Sequence, residues 1–309
     1  MLVLKLIIYL KIDFMNKTIF YIFMTLAMVA WGETWVSAKI LGEYLSANEL
    51  IFWRFFFTTL GMLFVLAFFK IGFRESLKEL LIALVSAIIL AFYNNFFFLG
   101  TKYGLASFGG IFVTTLNPII TYFLVAILSK NSFSKLEYLG LFMGILGAVF
   151  MLRLWDFDLG KIFSPGNIYF LLAAVTWPIL TIVSSKQKMK SAIIFSFYMF
   201  GFTSLIDLFF LKFELTNIFI FDTKFWFNLL LLSLWGTTFA TTIYFIGVLK
   251  LGSNVASSFF FMVPLSALVF SMLFLHEKAT LNLIIGGVLG LIAVYILNYA
   301  KIKKLRAKG

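Results

Sequence analysis

Marks spaced 146 residues apart recur along this chain. Pro118 returns as Pro264, Gly140 and Gly144 return as Gly286 and Gly290, and Trp31 returns as Trp177. Ser134, a residue suited to capping a helix N-terminus, falls at the same offset on Thr280, another good cap. With only four prolines and seven tryptophans in 309 residues, coincidence at one offset is a poor explanation. The chain is an internal duplication, and whatever fold it adopts must be built twice. Each copy centres on one block: an apolar helix holding a proline, a short polar turn, then an apolar helix with a pair of glycines.

The solvent for those helices follows from composition. Apolar residues fill 62% of the positions and charged residues 12%, with a mean hydropathy of +1.05. Soluble domains carry about 45–50% apolar and about 25% charged residues. A soluble globule could not hide this much apolar surface, so the chain reads as an all-α polytopic membrane protein partnered by the lipid bilayer. The formal net charge of +12 does not indicate nucleic acid, because most of the lysines lie beside apolar spans. There is no cysteine, which removes disulfides and thiolate metal sites. The 42 phenylalanines reflect a Phe-, Ile- and Lys-rich composition, with 21 Lys against 4 Arg, rather than an aromatic box.

From Thr18 onward ten apolar spans follow, each near the ~20 residues that a ~30 Å hydrocarbon core requires. They are expected at roughly 18–40, 48–69, 78–100, 105–128, 135–154, 167–185, 191–211, 226–249, 254–275 and 281–300. A spanning segment must satisfy its backbone internally, and these runs are too long for barrel strands, so they are helices. Residues 1–17 form an N-terminal cytoplasmic or interfacial segment. Its first 14 residues are too short to span and are interrupted by Lys5 and Lys11, and no cleavage site follows. Translation from Met15 is an equal alternative. The expected organisation is a first five-helix repeat at 18–155, an outer linker at 156–166, a second repeat at 167–300 and a basic cytoplasmic tail at 301–309.

Lysine and arginine set the orientation. With the N-terminus inside, the inner segments hold 17 of them and the outer segments six; Lys39 and Arg54 lie within the spans. The positive-inside rule then places both termini in the cytoplasm, for a multi-pass protein of the cell inner (plasma) membrane. Five helices is an odd number, so the second copy enters from the opposite side. Inverted repeats are a recurring plan of secondary transporters, with the substrate site near the midplane between the halves.

The residues also resemble a known family. Span one carries AWGETWVSAKI, span two ELIFWRFF, span four TTLNPIITYFLVAIL and span six AAVTWPIL. Spans nine and ten give FMVPLSALVFSMLFLHEKATLNLIIGGVLGLIAVYIL. Together these are similar to the two EamA-type halves of the drug/metabolite transporter superfamily, over about residues 18–300. The resemblance implies a ten-helix exporter of small metabolites, and leaves the substrate open because the family's substrates vary. Two departures stand out. Glu33 occupies a position where a small polar residue often follows Trp-Gly, and Asn131 replaces the acidic turn residue that the second half keeps as Glu277.

A charge at the bilayer centre costs roughly 2.5–3.5 kcal/mol on insertion scales, so each intramembrane polar residue needs a reason. Glu33 and Arg54 sit at similar depth in neighbouring helices, as a structural ion pair, a gated salt bridge or a proton-coupling carboxylate with its partner. Trp31 and Trp177, near mid-depth, read as a pseudo-symmetric pair lining a cavity or as ordinary packing. Asn94 and Asn117 are amides within the hydrocarbon, and Pro118 is expected to open the helix locally beside Asn117. Thr237, Thr238, Thr241 and Thr242 could line a polar path or bond back to their own helix. Asp207 reads as structural, with Lys212 near enough in sequence to neutralise it. The glycine pairs should seam spans five and ten, by close packing that could extend to a homodimer. The substrate-binding candidates are Trp31, Asn94, Asn117, Trp177 and Thr241, and the coupling or gating candidates are Glu33 and Arg54.

Catalytic residues are not expected. The single histidine, His276, is no metal site without further ligands, and there is no G-x-x-x-x-G-K loop for ATP. No cofactor is expected, and the driving force must come from gradients. The partners are then a small-molecule substrate such as an amino acid or amphipathic compound, the bilayer, and a coupling proton, in a monomer or homodimer. A channel would be expected to gather a selectivity filter around an axis, and an intramembrane enzyme needs a nucleophile with a positioned base. Neither pattern is present, which leaves an alternating-access transporter as the leading reading.

Overall fold

The structure is a computed structural model that describes residues 17–104, 106–129, 133–156, 160, 164–276 and 281–306. Expectations for residues 1–16, Lys130, Asn131, Asp158, Lys161, Glu277, Lys278, Thr280 and residues 307–309 lie outside the described residues. Ten helical spans run through the rest: α1 (Lys17–Leu41), α2 (Ala47–Phe69), α3 (Leu77–Tyr103), α4 (Ala106–Ser129), α5 (Lys135–Leu152), α6 (Pro165–Ser184), α7 (Ala192–Phe210), α8 (Thr223–Leu251), α9 (Ser253–Phe274) and α10 (Leu281–Arg306). Seven of them are long and apolar enough to cross a membrane, and α4 and α10 contain the shorter apolar cores Gly109–Val125 and Ile284–Leu297.

The helix starts are written locally. Ser46 and Ser134 form capping boxes with Glu49 and Glu137, so that each serine accepts a backbone N–H while the glutamate returns to the cap. Ser76, Ser191 and Asp222 cap α3, α7 and α8, and Pro165 opens α6, where its missing N–H costs nothing. Gly252, at φ +84°, ends α8 and permits the reversal into α9.

The two halves run antiparallel. The α1–α2 turn meets the α7–α8 segment, where Tyr44 donates to Asp222 (3.0 Å) and the Thr216 amide donates to Glu49 (2.9 Å). At the opposite end the α6–α7 loop meets the α2–α3 loop, with the Lys188 amide on Glu79 (2.7 Å) and the Lys190 amide on Glu75 (3.2 Å). The first turn of one repeat therefore shares an end with the second turn of the other, which is an inversion. Packing repeats the relation: α3 lies on α6 as α8 lies on α1, α4 on α6 as α9 on α1, while α2 meets α7 and α5 meets α10.

Glycines seam the last pair in part. A Cβ on Gly140 would strike Leu297 at 2.8 Å, and one on Gly147 would strike the Gly286 carbonyl at 2.9 Å. One on Gly144 or Gly290 would instead meet Phe261 of α9 (2.4 and 2.9 Å), which corrects that half of the expectation. Helix α1 is gripped more tightly still. A Cβ on Gly32 would stand 2.2 Å from Ser266 and 2.6 Å from the Ala267 backbone of α9, so only glycine lets the two helices approach.

One expectation is corrected. Helix α4 runs unbroken through Asn117 and Pro118. The irregular backbone lies in the second repeat, where α8 passes through a π segment at Leu231–Phe239 and α9 through a 3₁₀ segment at Phe259–Met262 ahead of Pro264. A proline inside a helix removes one bond and crowds the preceding turn, and in α4 a continuous helix tolerates this.

Candidate functional site

Trp31, Thr34 and Trp35 follow one another at helical spacing on α1, so they share a face. That face closes on a cavity between the halves. Arg54 of α2, Tyr93 and Phe97 of α3, Thr114 of α4, Trp177 of α6, and Phe260 and Val263 of α9 complete the lining. The cavity volume is about 30 Å³, room for one or two waters.

The repeat-related tryptophans meet here. Trp31 and Trp177 stand edge to face with ring centroids 5.1 Å apart. Each also packs on a tyrosine of the opposite half's third helix, Trp31 on Tyr244 (5.1 Å) and Trp177 on Tyr93 (4.6 Å). Trp31 is oriented by the π segment of α8, its indole N–H donating to the Gly236 carbonyl (3.0 Å) with Thr241 Oγ1 at 3.3 Å. The Trp177 indole nitrogen, though buried, meets no well-aligned acceptor among the described residues.

One helical turn from each tryptophan lies a second matched pair. Towards the α1–α2 turn, Trp35 stands against Phe97 with centroids 4.5 Å apart. Towards the opposite end, Thr181, the counterpart of Trp35 at the repeat offset, hydrogen-bonds Tyr244 (2.6 Å). Beyond Trp35 and Phe97 the same faces of α1, α2 and α3 open into a second pocket of about 220 Å³, lined by Lys39, Glu43, Leu50, Thr101 and Lys102 among others.

The Arg54 guanidinium is 7% exposed. Its Nε donates to Thr237 Oγ1 (2.7 Å) and its Nη1 to Asn94 Oδ1 (2.9 Å). Both acceptors are held in place, because Thr237 spends its proton on the Leu232 carbonyl and Asn94 its amide on the Leu90 carbonyl. Of the three readings of Glu33 and Arg54, the static ion pair is corrected: the two make no salt bridge, and those between described residues are Arg153–Asp156 and Lys224–Glu43. Glu33 instead contacts Ser37, one turn along its own helix, and Ser37 reaches Asn228 Oδ1 of α8 (2.9 Å). Two neutral acceptors take the cation and a serine takes the carboxyl.

The other candidates are distributed around this centre. Thr241 and Asn94 stand behind the lining, holding Trp31 and Arg54. Asn95, on the adjacent face, donates to Asn48 (2.8 Å). Asn117 is fully buried one turn beyond Thr114, off the cavity lining, with neither side-chain amide atom hydrogen-bonded. Thr237, Thr238 and Thr241 bond back to carbonyls five residues earlier, the reach that a π segment sets. Asp207 is buried with Oδ2 unpartnered, and Lys212 makes no salt bridge to it, which corrects that pairing. At the aqueous end, the Phe225 N–H holds the Asp222 carboxyl below the usual carboxylate range.

Sequence reasoning did not single out Trp35, Tyr93, Phe97 or Tyr244. The signal was available for the first three. Trp35 is four residues after Trp31, and Phe97 is four after Tyr93, spacing that stacks each pair on one helix face.

The sequence pattern of the EamA-like transporter family matches this chain twice, at residues 18–153 and 164–299. An uncharacterized transporter of Archaeoglobus fulgidus is 23% identical over 286 residues, covering 89% of this chain and 96% of its own length. The uncharacterized transporter YvbV of Bacillus subtilis is 26% identical over 317 residues, 95% of this chain and 96% of the relative. YyaM of the same organism, also described as an uncharacterized transporter, is 28% identical over 160 residues, about half of each chain (50% and 52%). One solved chain superimposes with a TM-score of 0.69 at 15% identity, over 91% of this chain and 96% of that one, which is a likeness of fold.

Proposed function

This chain belongs to the EamA-like transporter family, and we propose that it is a secondary transporter moving small metabolites across the cytoplasmic membrane by alternating access, in the export direction. One observation carries the reading: Trp31 and Trp177, equivalent residues of two inverted halves, meet at one cavity between the halves. A site shared by inverted halves opens to either side when the halves rock against one another. In this conformer a side-chain contact stands on each side of it, Trp35–Phe97 towards the 220 Å³ vestibule and Thr181–Tyr244 towards the opposite end. These two pairs are the gates.

Both termini lie in the cytoplasm, as the lysine distribution requires, and the vestibule then faces outward. Glu33 is the coupling group. It is a buried carboxyl with Oε2 unpartnered, close to the cavity and linked through Ser37 to Asn228 on α8.

Counterflow of labelled metabolites in proteoliposomes tests the reading. Saturable exchange is expected, with Trp31→Ala and Trp177→Ala each changing substrate preference or apparent affinity at near-normal expression. Ohmic ion current without exchange would mean a channel. Glu33→Gln should abolish accumulation driven by a pH gradient and leave counterflow intact. Labelling of a cysteine placed at Lys188 by an impermeant reagent in intact cells would overturn the topology.

A further inference from the structure

The hydrogen-bond donors and acceptors around the cavity are unequal in number. Arg54 brings five N–H groups, of which two are taken by Thr237 and Asn94. The Trp177 N–H lies beside the Tyr244 ring and meets no well-aligned acceptor among the described residues. The two lining threonines have turned their protons away, Thr34 to the Trp31 carbonyl and Thr114 to the Gly110 carbonyl. Among the described residues no carboxylate lines the cavity.

The nearby Glu33 carboxyl makes no salt bridge to Arg54 and contacts Ser37 instead. Ser37 Oγ contacts both the Glu33 carboxyl and Asn228 Oδ1. The Asn228 amide nitrogen donates to the Lys224 carbonyl (2.7 Å), which fixes Oδ1 as the atom facing Ser37. A hydroxyl has one proton for these two acceptors, so the row is satisfied when the Glu33 carboxyl brings the second. With Glu33 so protonated, Arg54 stands beside Trp31, Trp35, Trp177 and Tyr93 with no salt-bridged carboxylate among the described residues.

The cavity as it stands has room only for water. We propose that its opening towards the vestibule admits a small organic acid, its carboxylate bound by the free N–H groups of Arg54 and its apolar or aromatic body against the lining rings. The proposal rests on the transporter reading and adds the substrate class. A guanidinium fork matches a carboxylate in plane and spacing, and a desolvated site strengthens that charge-assisted pair. The route in has the matching charge. Trp35 and Phe97 of the cavity lie one turn from Ala38 and Thr101 of the vestibule, whose walls include Lys39 and Lys102 against the single carboxylate Glu43. A cleft of net positive charge concentrates anions.

Binding to the purified full chain is read from the intrinsic fluorescence of the cavity tryptophans, using phenylacetate, the isosteric phenylacetamide, phenethylamine and sodium chloride as probes. The expected result is saturable binding of phenylacetate about tenfold or more tighter than phenylacetamide, the difference that a hydrogen-bonded charge makes. Arg54→Gln should abolish that preference, and Arg54→Lys, which keeps the charge and loses the fork, should reduce it. Where the glutamine variant does not fold, the lysine variant alone decides. Equal affinity for acid and amide, tighter binding of phenethylamine, saturation by chloride at the same concentration, or no response to any probe would each overturn the substrate class. An unreduced preference in Arg54→Lys would overturn the role of the fork. Counterflow separates this from the transporter reading, because exchange of a cationic or neutral solute would sink the acid and leave the transporter standing.

Discussion

The two halves share a plan and differ in what they bring to the centre. The first repeat supplies the side chains with charge, Glu33 and Arg54, on regular helices. The second supplies the irregular backbone, the π segment of α8 and the 3₁₀ segment of α9. The contacts between them run from the first kind to the second. Arg54 donates to Thr237 and Trp31 to the Gly236 carbonyl. The Thr58 hydroxyl lies between the Arg54 carbonyl of its own helix (2.7 Å) and the Ser233 carbonyl (3.0 Å). Thr237, Gly236 and Ser233 are all in the π segment. A regular helix spends its carbonyls on its own amides, whereas a π segment rearranges the ladder and can serve a neighbour. Duplication made two similar scaffolds, and the site was then divided between them by chemistry.

The largest effect should come from separating the halves where they press closest. Gly32→Val drives a side chain into the α9 backbone at Ala267, which cannot swing aside. We expect destabilisation of about 3 kcal/mol or more, read as loss of monodisperse protein in detergent. The counterpart at the repeat offset is Pro178, so α6 does not share this glycine contact.

Two buried threonines sharpen the division of labour. Thr237→Val removes the acceptor that holds Arg54 and should cost about 1–3 kcal/mol. In the first half, Thr115 Oγ1 is buried without a partner, so Thr115→Val should be neutral or stabilising by up to about 1 kcal/mol. Thermal unfolding in micelles measures both, and equal losses would erase the distinction.

The related prolines should respond with opposite sign. Pro118→Ala restores an amide to a continuous helix and should stabilise by about 1 kcal/mol. Pro264 opens a new α-helical stretch after the 3₁₀ segment, where its fixed φ suits the backbone. Its replacement by Ala should destabilise by about 0.5 kcal/mol. Matching signs would mean that the two helices are strained alike.

The smallest effect belongs to Asp222, which caps α8 at the aqueous end. Its folded carboxyl titrates below the unfolded value because the Phe225 N–H favours the charged form. Such a group contributes stability above the unfolded value and loses it as pH falls through the folded one. Asp222→Asn should therefore narrow the gap in melting temperature between neutral and acid pH by a small amount, and widening would contradict the assignment.

The sequence by itself determined the helices, their number and their inversion. Each span is long enough to be read alone, the capping serines are local, and an odd number of helices per repeat fixes the antiparallel relation. It also identified Trp31, Trp177, Glu33 and Arg54, because charge and tryptophan at mid-depth are rare enough to notice. Tertiary structure decided who meets whom. Glu33 and Arg54 share a depth, yet their partners lie on α8, α3 and α1 itself, and rotation of each helix about its axis is set by packing that one sequence does not show. Pro118 and Pro264 look equivalent on the page; one sits in an unbroken helix and the other after a tightened turn, because neighbouring helices choose which backbone bonds are given up. The π segment left no mark in composition, since it redistributes hydrogen bonds among residues that would form an α-helix equally well, and only the contacts across the halves favour it.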